Sequence, residues 1–285
     1  MAAFRVLSAV IVASLLAGAA AAASPTLERI KASGTVTFGY RDAAAPFSAK
    51  QRNGTPRGYS VELCERVAAA IGKAVGIPGL KVVWRAVDSE SRISDVADRR
   101  IDAECGTTTI TLSRMERVDF SVPIFVDGGS ALVRAGSGLA SVADLKGKRI
   151  AVIPATTTEA ALKRTFAVTG ASASLVPVRD GAEGLGALKA GKADAYASDR
   201  MLLARLKDTD AQGTELAFLQ NDFSFEPYAL VLPRDDPDFR LLVNRTLVDL
   251  YKSGEIDAIF IRWLGAYGRP GALLNAMFYL NTLPE

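Results

Sequence analysis

The sequence predicts an α/β protein of two lobes. Strand-like runs alternate with helix-like segments in two successive cycles, one before residue 122 and one from residue 148 onwards. Extended segments at residues 122–126 and 226–233 separate the cycles and read as two crossovers. We therefore expect lobe 1 to comprise residues 24–126 and 228–285, and lobe 2 residues 127–227. A single continuous sheet, or only one connection between the lobes, would argue against this division.

The first cycle has strands expected at residues 35–40, 81–87 and 100–105, each identified by apolar or β-branched residues between turn signals. A helix is expected after the Asn53-Gly54 turn, capped by Ser60, because apolar residues recur there in steps of three and four. The last strand is expected to stop at Gly106, which would leave the three following threonines in a loop.

The second cycle has strands expected at residues 149–154, 174–179 and 193–198, and helices at 181–189 and 200–206. Thr156 and Glu159 have the spacing of a capping box, so another helix is expected to begin there. Helices at residues 238–253 and 255–264 carry apolar stripes and should pack on lobe 1.

Polar residues stand where these strands give way to helices, at Arg41, Ser89, Arg92, Thr107, Thr157 and Asp199. In open α/β sheets, ligands bind at the carboxyl ends of the strands. Arg114 adds a planar guanidinium that matches a carboxylate. The hydroxyls and free amides that follow Gly106, together with Arg114, predict a receptor for a small anion, and the residues at the junctions form a convergent pattern around it. The alternative is that they are turn residues, helix caps and surface arginines.

Residues 1–23 have a charged start, an apolar stretch and a small-residue end, which predicts a secretory signal cleaved near Ala23. A membrane anchor is the rival interpretation of this stretch. Since no cysteine stands directly after the signal, where a lipid would be attached, lipid anchoring is not expected. We expect the mature protein to be soluble and exported.

The composition excludes several functions. The chain has no histidine, which rules out Ser-His and Cys-His dyads and histidine-ligated zinc. Two cysteines are too few for a zinc cluster, and nucleotide-binding and hydrolase motifs are absent. A net charge of +3 without long basic runs gives no case for nucleic acid. We expect binding rather than catalysis, with no metal or cofactor.

The two cysteines are expected to form a disulfide. Cys64 lies on the inward stripe of its predicted helix, and Cys105 shares a strand face with Ile101 and Ala103. Export places both thiols in an oxidising compartment. The alternative is two buried thiols that act as small apolar groups.

An ordered set of motifs carries a resemblance to a known family: YRDAAAPFS at 40–48, GYS at 58–60, SESR at 89–92, ECGTTT at 104–109, Ser113-Arg114, Phe120-Ser121, DLKGK at 144–148, TTTE at 156–159, Asp199 and EPY at 226–228. The chain resembles the periplasmic solute-binding proteins of ABC transporters for polar amino acids, nearest to the glutamate/aspartate-binding branch. This resemblance implies the two-lobed periplasmic-binding-protein type II fold, a monomer in the periplasm, an amino-acid ligand and membrane permease subunits as partners.

The resemblance also implies a role for each site residue. Arg114, with Thr107, Thr109 and Thr157, is similar to the clamp for a ligand's α-carboxylate. Asp199 matches the acceptor for the α-ammonium. Three further residues match the pocket for an acidic ligand side chain, namely Arg41, Ser89 and Arg92.

One position departs from the family pattern. Acidic-amino-acid binders carry a histidine where this chain has Gly181, so we expect open space there that a water could fill. Preference between aspartate, glutamate and a bulkier acid is left open.

Two alternatives to the receptor are considered. One is an exported cyclohexadienyl-dehydratase-like enzyme on the same fold, with Asp127 or Glu226 as the acid. The other is a sensor or wall-enzyme module, which is disfavoured because we expect no appended domain.

Overall fold

The computed structural model describes residues 24–210 and 215–284. The predicted signal and its cleavage near Ala23 lie outside the described residues. Within the described ranges, no helix is both long and apolar enough to cross a membrane.

The predicted helices are present, and several start and end within a residue or two of the expected positions, whereas the helices at residues 25–33, 112–115 and 272–280 were not predicted. The helices are α1 (Pro25–Ser33), α2 (Tyr59–Val75), α3 (Arg92–Ala97), α4 (Leu112–Met115), α5 (Thr157–Thr169), α6 (Gly181–Lys189), α7 (Arg200–Asp208), α8 (Pro237–Ser253), α9 (Glu255–Leu264) and α10 (Ala272–Leu280). Short 3-10 helices lie at Val142–Leu145 and Gly265–Tyr267.

The strands are β1 (Thr35–Arg41), β2 (Ala43–Ala44), β3 (Ser48–Lys50), β4 (Pro56–Arg57), β5 (Lys81–Val87), β6 (Ala103–Thr109), β7 (Asp119–Phe120), β8 (Phe125–Arg134), β9 (Arg149–Val152), β10 (Ser174–Pro177), β11 (Ala195–Asp199), β12 (Leu216–Phe218) and β13 (Ser224–Leu232). Strands β2, β3 and β4 form a small separate sheet.

The main sheet has the order β10-β9-β11-β8-β13-β6-β1-β5, with β12 on β8 and β7 on β13. Its two ends are parallel, since β1 pairs with β5 and β6, and β9 with β10 and β11. Its centre is antiparallel, because the crossover strands β8 and β13 pair with each other from Ser224↔Gly129 to Tyr228↔Phe125. We call β8 and β13 the crossover pair.

Two connections between the lobes are present, but the expectation of separate sheets is wrong. Hydrogen bonding runs continuously through the crossover pair, because each crossover is a long strand rather than a loop. The lobe boundaries stay a prediction, supported by the cores. Buried apolar clusters on one side draw on residues 30–125 and 228–278, and the clusters on the other side on residues 131–219.

Strand β6 differs from its prediction in a way that matters for the site. It runs from Ala103 through Gly106 to Thr109, so the three threonines lie in the sheet and not in a loop. Threonine is β-branched and suits a strand. The partner is distant in sequence, since Tyr228 pairs with Thr109 and Ala229 with Thr108. The predicted stop at Gly106 is therefore wrong.

Helix α2 is fastened to β6 by two links. The structure joins Cys64 of α2 to Cys105 of β6 by a disulfide, with the Cα atoms 6.2 Å apart. The Ser60 hydroxyl donates to the Gly106 carbonyl at 2.7 Å. Ser60 therefore does not cap α2, contrary to the expectation. Gly58 is the N-cap residue, with φ +144°, where a side chain would collide with the Phe47 backbone.

Candidate ligand-binding site

The predicted site residues lie where strand ends of the two lobes face each other across the crossover pair. Arg41 ends β1, Arg92 begins α3, and Asp199 ends β11. The others are Ser89 in the loop after β5, Thr107 and Thr109 on β6, Arg114 on α4 and Thr157 at the start of α5.

Arg114 lies beside two threonine hydroxyls at the edge of a cavity. The Arg114 guanidinium donates to the Thr109 carbonyl at 2.7 Å, and the Thr111 hydroxyl caps α4 by accepting from the Arg114 amide. The Thr109 and Thr157 hydroxyls, one from each lobe, are 3.2 Å apart. Burial lowers the pKa of Arg114, while the negative charge of Glu226 acts in the opposite direction. Such a half-buried guanidinium beside two hydroxyls suits a carboxylate.

Arg92 is a buried cation with donors to spare. Its side chain is 3% exposed, and Nη1 donates to the Thr107 carbonyl at 3.3 Å. Its Nε has no hydrogen-bond partner among the described residues. Burial, followed by the positive charges of Arg41 and Arg114, lowers the pKa of Arg92 to about 9. An anion placed here would meet an unpaired buried donor and offset the repulsion among the arginines.

Asp199 is held by hydrogen bonds rather than used as a cap. Its carboxylate accepts from the Thr158 hydroxyl at 3.0 Å and from the Tyr228 hydroxyl. Although Asp199 is the N-cap residue of α7, its side chain makes no capping bond. Asp127 of β8 does that instead, accepting from the Met201 amide at 3.1 Å. The Asp199 carboxylate is therefore not committed to capping α7.

The carboxylates of Asp199 and Asp127 both approach the Tyr228 hydroxyl. Burial, then the negative charge of Glu226, raises the pKa of Asp199 to about 6. Burial, then the negative charge of Asp199, raises the pKa of Asp127 to about 7. A positive group arriving between them would relieve this crowding of like charge.

Comparison of the chain with known proteins shows the family to which it belongs. The family model for bacterial extracellular solute-binding proteins, family 3, matches residues 36–266. The chain belongs to this family. The curated relatives that it matches are solute-binding receptors rather than enzymes, so the chain is a binding protein and the dehydratase alternative is not favoured.

Individual relatives support the same assignment. This binding protein is 36% identical over 267 residues to the L-glutamate/L-aspartate-binding protein of Pseudomonas aeruginosa, covering 90% of this chain and 86% of the relative. It is 29% identical to the glutamate/aspartate import solute-binding protein of Escherichia coli, covering 86% and 81%. The crystal structure of an ancestral amino acid-binding protein, a precursor of cyclohexadienyl dehydratase, superimposes with a TM-score of 0.73 at 26% identity, covering 84% and 98%. The two-lobed periplasmic-binding-protein fold is thereby established.

The lobes of the binding protein touch directly at Ser89. Its hydroxyl donates to the Pro154 carbonyl at 2.9 Å, from the loop after β5 to the loop after β9. Cavities flank the cleft on two sides. One of about 660 Å³ is lined by Arg114, Thr109 and Thr157, and one of about 280 Å³ is lined by Arg41.

Gly181 lines open space, but this space does not lie where a side chain on the residue would point. An ideal Cβ on Gly181 would lie 2.7 Å from Leu206 Cδ1, because Leu206 of α7 packs against the start of α6. A histidine at position 181 would therefore require Leu206 to move. The remaining room lies beside both residues, in the cavity that Arg41 also lines.

Three residues of the site were not assigned a binding role from the sequence. Glu226 accepts hydrogen bonds from Thr109 and Thr157, Tyr228 donates to Asp199, and buried Glu104 accepts from Thr108. All three belong to the motifs that carry the family resemblance. Their membership of these motifs is the sequence feature that could have indicated a role in the site. No group of three potential metal ligands lies close together in the described ranges.

Proposed function

We propose that this protein captures glutamate or aspartate between its lobes and delivers it to the permease of an ABC importer. The observation that carries the acidic specificity is Arg92, which is buried, has a spare donor and lies beside the like charge of Arg41. A neutral ligand would leave this charge unpaired, which is costly in a buried site.

The remaining groups suit the backbone of an amino acid. Arg114 with Thr107, Thr109 and Thr157 would hold the α-carboxylate, and Asp199 the α-ammonium. Arg41, Ser89 and Arg92 would surround the side chain. Since Thr109 and Thr157 come from opposite lobes, one carboxylate between them would draw the lobes together. The names of the relatives from Pseudomonas and Escherichia support the choice of ligand.

The proposal also covers the oligomeric state of the protein, its location and the cleavage of its signal. We infer a monomer in the periplasm, released by cleavage near Ala23. Mass spectrometry of the exported protein would locate the cleavage site, and analytical ultracentrifugation would give the mass in solution. A mature N-terminus elsewhere than near Ala23, or a dimeric mass, would contradict the corresponding point.

Calorimetry with purified protein tests the ligand. We expect one site per chain, with glutamate and aspartate bound more tightly than glutamine or arginine. Tighter binding of glutamine or arginine would refute the side-chain assignment. Incubation with prephenate and arogenate serves as the control for chemistry, since turnover of either would revive the dehydratase alternative.

A further inference from the structure

Glu226 occupies the pocket that the proposed function reserves for the ligand. Its side chain, on the crossover strand β13, is 1% exposed. One carboxylate oxygen, Oε2, accepts from the Thr109 hydroxyl and from the Thr157 hydroxyl, each at 2.6 Å. The other oxygen accepts from the Ser224 hydroxyl. The carboxylate therefore accepts from three hydroxyl donors.

These donors come from both sides of the cleft. Thr109 lies on β6 of lobe 1 and Thr157 begins α5 of lobe 2, so a single oxygen of Glu226 bridges the lobes. Arg114 faces the same carboxylate, whose charge counteracts the lowering of the arginine's pKa by burial. Arg114, Thr109 and Thr157 are three of the four side chains assigned above to the α-carboxylate.

We propose that Glu226 is an internal stand-in for the ligand's α-carboxylate: it fills the clamp and holds the lobes together in the empty protein, and the amino acid must displace it. This inference rests on the proposed function for the identity of the displacing group. Glu226 would thereby set the affinity for every amino acid, whatever its side chain.

Glu226 and the ligand's α-carboxylate cannot occupy the clamp together, because the clamp has too few protons to donate and the two groups have the same charge. Each threonine hydroxyl has one proton to donate, so it cannot serve Glu226 and a second carboxylate at once. Two carboxylates at one position would also repel each other strongly. Because Glu226 fills the clamp in part of the molecules, the ligand's apparent affinity is its intrinsic affinity multiplied by the fraction of molecules in which the clamp is free.

Displacement would also prepare Asp199. The negative charge of Glu226 is one cause of the raised pKa of Asp199. Moving Glu226 away removes this like charge as the ligand's ammonium arrives, which favours the ionised form of Asp199.

Two variants test the competition by calorimetry. Glu226→Gln keeps the shape of the side chain but removes the anion, and Glu226→Asp keeps the anion but withdraws it by one methylene. We expect both to bind glutamate and glutamine about tenfold more tightly than wild type, since a charge-assisted contact no longer has to be broken. Glu90→Gln removes one exposed carboxylate at the rim of the cleft and should bind as wild type. Unchanged or weaker binding in both Glu226 variants would overturn the inference.

Small-angle X-ray scattering tests the bridging without any ligand. The empty Glu226 variants should have a larger radius of gyration than empty wild type and Glu90→Gln, because the lobes have lost their shared anion. Equal radii would show that Glu226 does not hold the lobes together. If wild type binds no amino acid, both the proposed function and the displacement of Glu226 by a ligand are refuted. The scattering result still decides whether Glu226 holds the two lobes together.

Discussion

The lobe 1 wall of the cleft and the crossover pair carry opposite charges. Arg41, Arg92 and Arg114 stand on lobe 1, whereas Asp127 and Glu226 stand on the crossover pair, next to Asp199 of β11. The cationic wall is backed by a disulfide, and Arg92 and Arg114 donate to carbonyls of β6. The anionic side is held by hydroxyl hydrogen bonds from Thr109, Thr157, Thr158, Ser224 and Tyr228.

This difference suggests a division of labour. Guanidiniums anchored to the carbonyls of a braced strand can hold a fixed position for anions. Carboxylates held by hydroxyls can exchange one partner for another when a ligand arrives. The cationic wall would therefore set which ligand binds, and the anionic side would set how binding closes the cleft.

The largest effect is expected from Arg114→Ala. Every amino acid carries an α-carboxylate, so loss of the guanidinium should abolish binding of all of them. Calorimetry with glutamate, aspartate and glutamine measures this. Arg117→Ala, which removes an exposed arginine three residues further on, is the matched control and should bind normally. Residual binding of any amino acid near wild-type strength would contradict the clamp.

Arg92→Ala should separate acidic from neutral ligands. Truncating one member of a buried charge pair costs roughly 2–5 kcal/mol, so glutamate and aspartate should weaken by that amount. Glutamine should lose much less, because it offers no side-chain charge to Arg92. Comparing the two ligands by calorimetry decides the assignment. Equal losses would show that Arg92 supports the fold of the cleft and does not read the side chain.

Removal of the disulfide tests the bracing of the cationic wall. The double variant Cys64→Ser with Cys105→Ser opens a loop of 41 residues and should lower the free energy of unfolding by roughly 2–4 kcal/mol. Urea denaturation of the oxidised wild type and the double variant measures this. Reduced wild type is the control and should match the variant. Equal stability of oxidised and reduced protein would mean that the link contributes nothing.

Much of the fold could be predicted from local patterns. Strand β5 and helices α6 and α9 have the expected bounds, because apolar periodicity and flanking turn residues mark them clearly. The extension of β6 to Thr109 could not be predicted, since it depends on pairing with Tyr228, which is far away in the sequence. The position of the space at Gly181 was misjudged for a similar reason, because Leu206 of another helix packs where a side chain on Gly181 would point.

For the site, too, contacts between segments that are distant in the sequence could not be predicted. Arg92 and Asp199 stand at strand and helix ends, which local patterns can locate. The contacts of Glu226 with Thr109 and Thr157 join three separate segments, and the capping of α7 by Asp127 joins two. Nothing in the local sequence indicates that Asp127, rather than Asp199, performs the capping.

The smallest effect, a pH dependence of binding, tests the anionic side. The pKa values of Asp199 and Asp127 are raised to about 6 and about 7, so the empty site holds protons at pH 6 that an unfolded chain would have released. The ligand's ammonium favours the ionised carboxylates. Binding at pH 6 should therefore release part of a proton, and affinity should fall, by up to about tenfold per pH unit, as the pH drops below 6.

Calorimetry in buffers of different ionisation enthalpy counts the released protons. We expect release at pH 6 and almost none at pH 8.5, where both carboxylates of the empty protein are already ionised. Raised pKa values also mean that the folded state binds these protons more tightly than the unfolded chain. The empty protein should therefore lose the stability contributed by this pair as the pH rises from about 4 to about 7. Identical proton release at pH 6 and pH 8.5 would show that Asp199 and Asp127 are not the groups that respond to the ligand's charge.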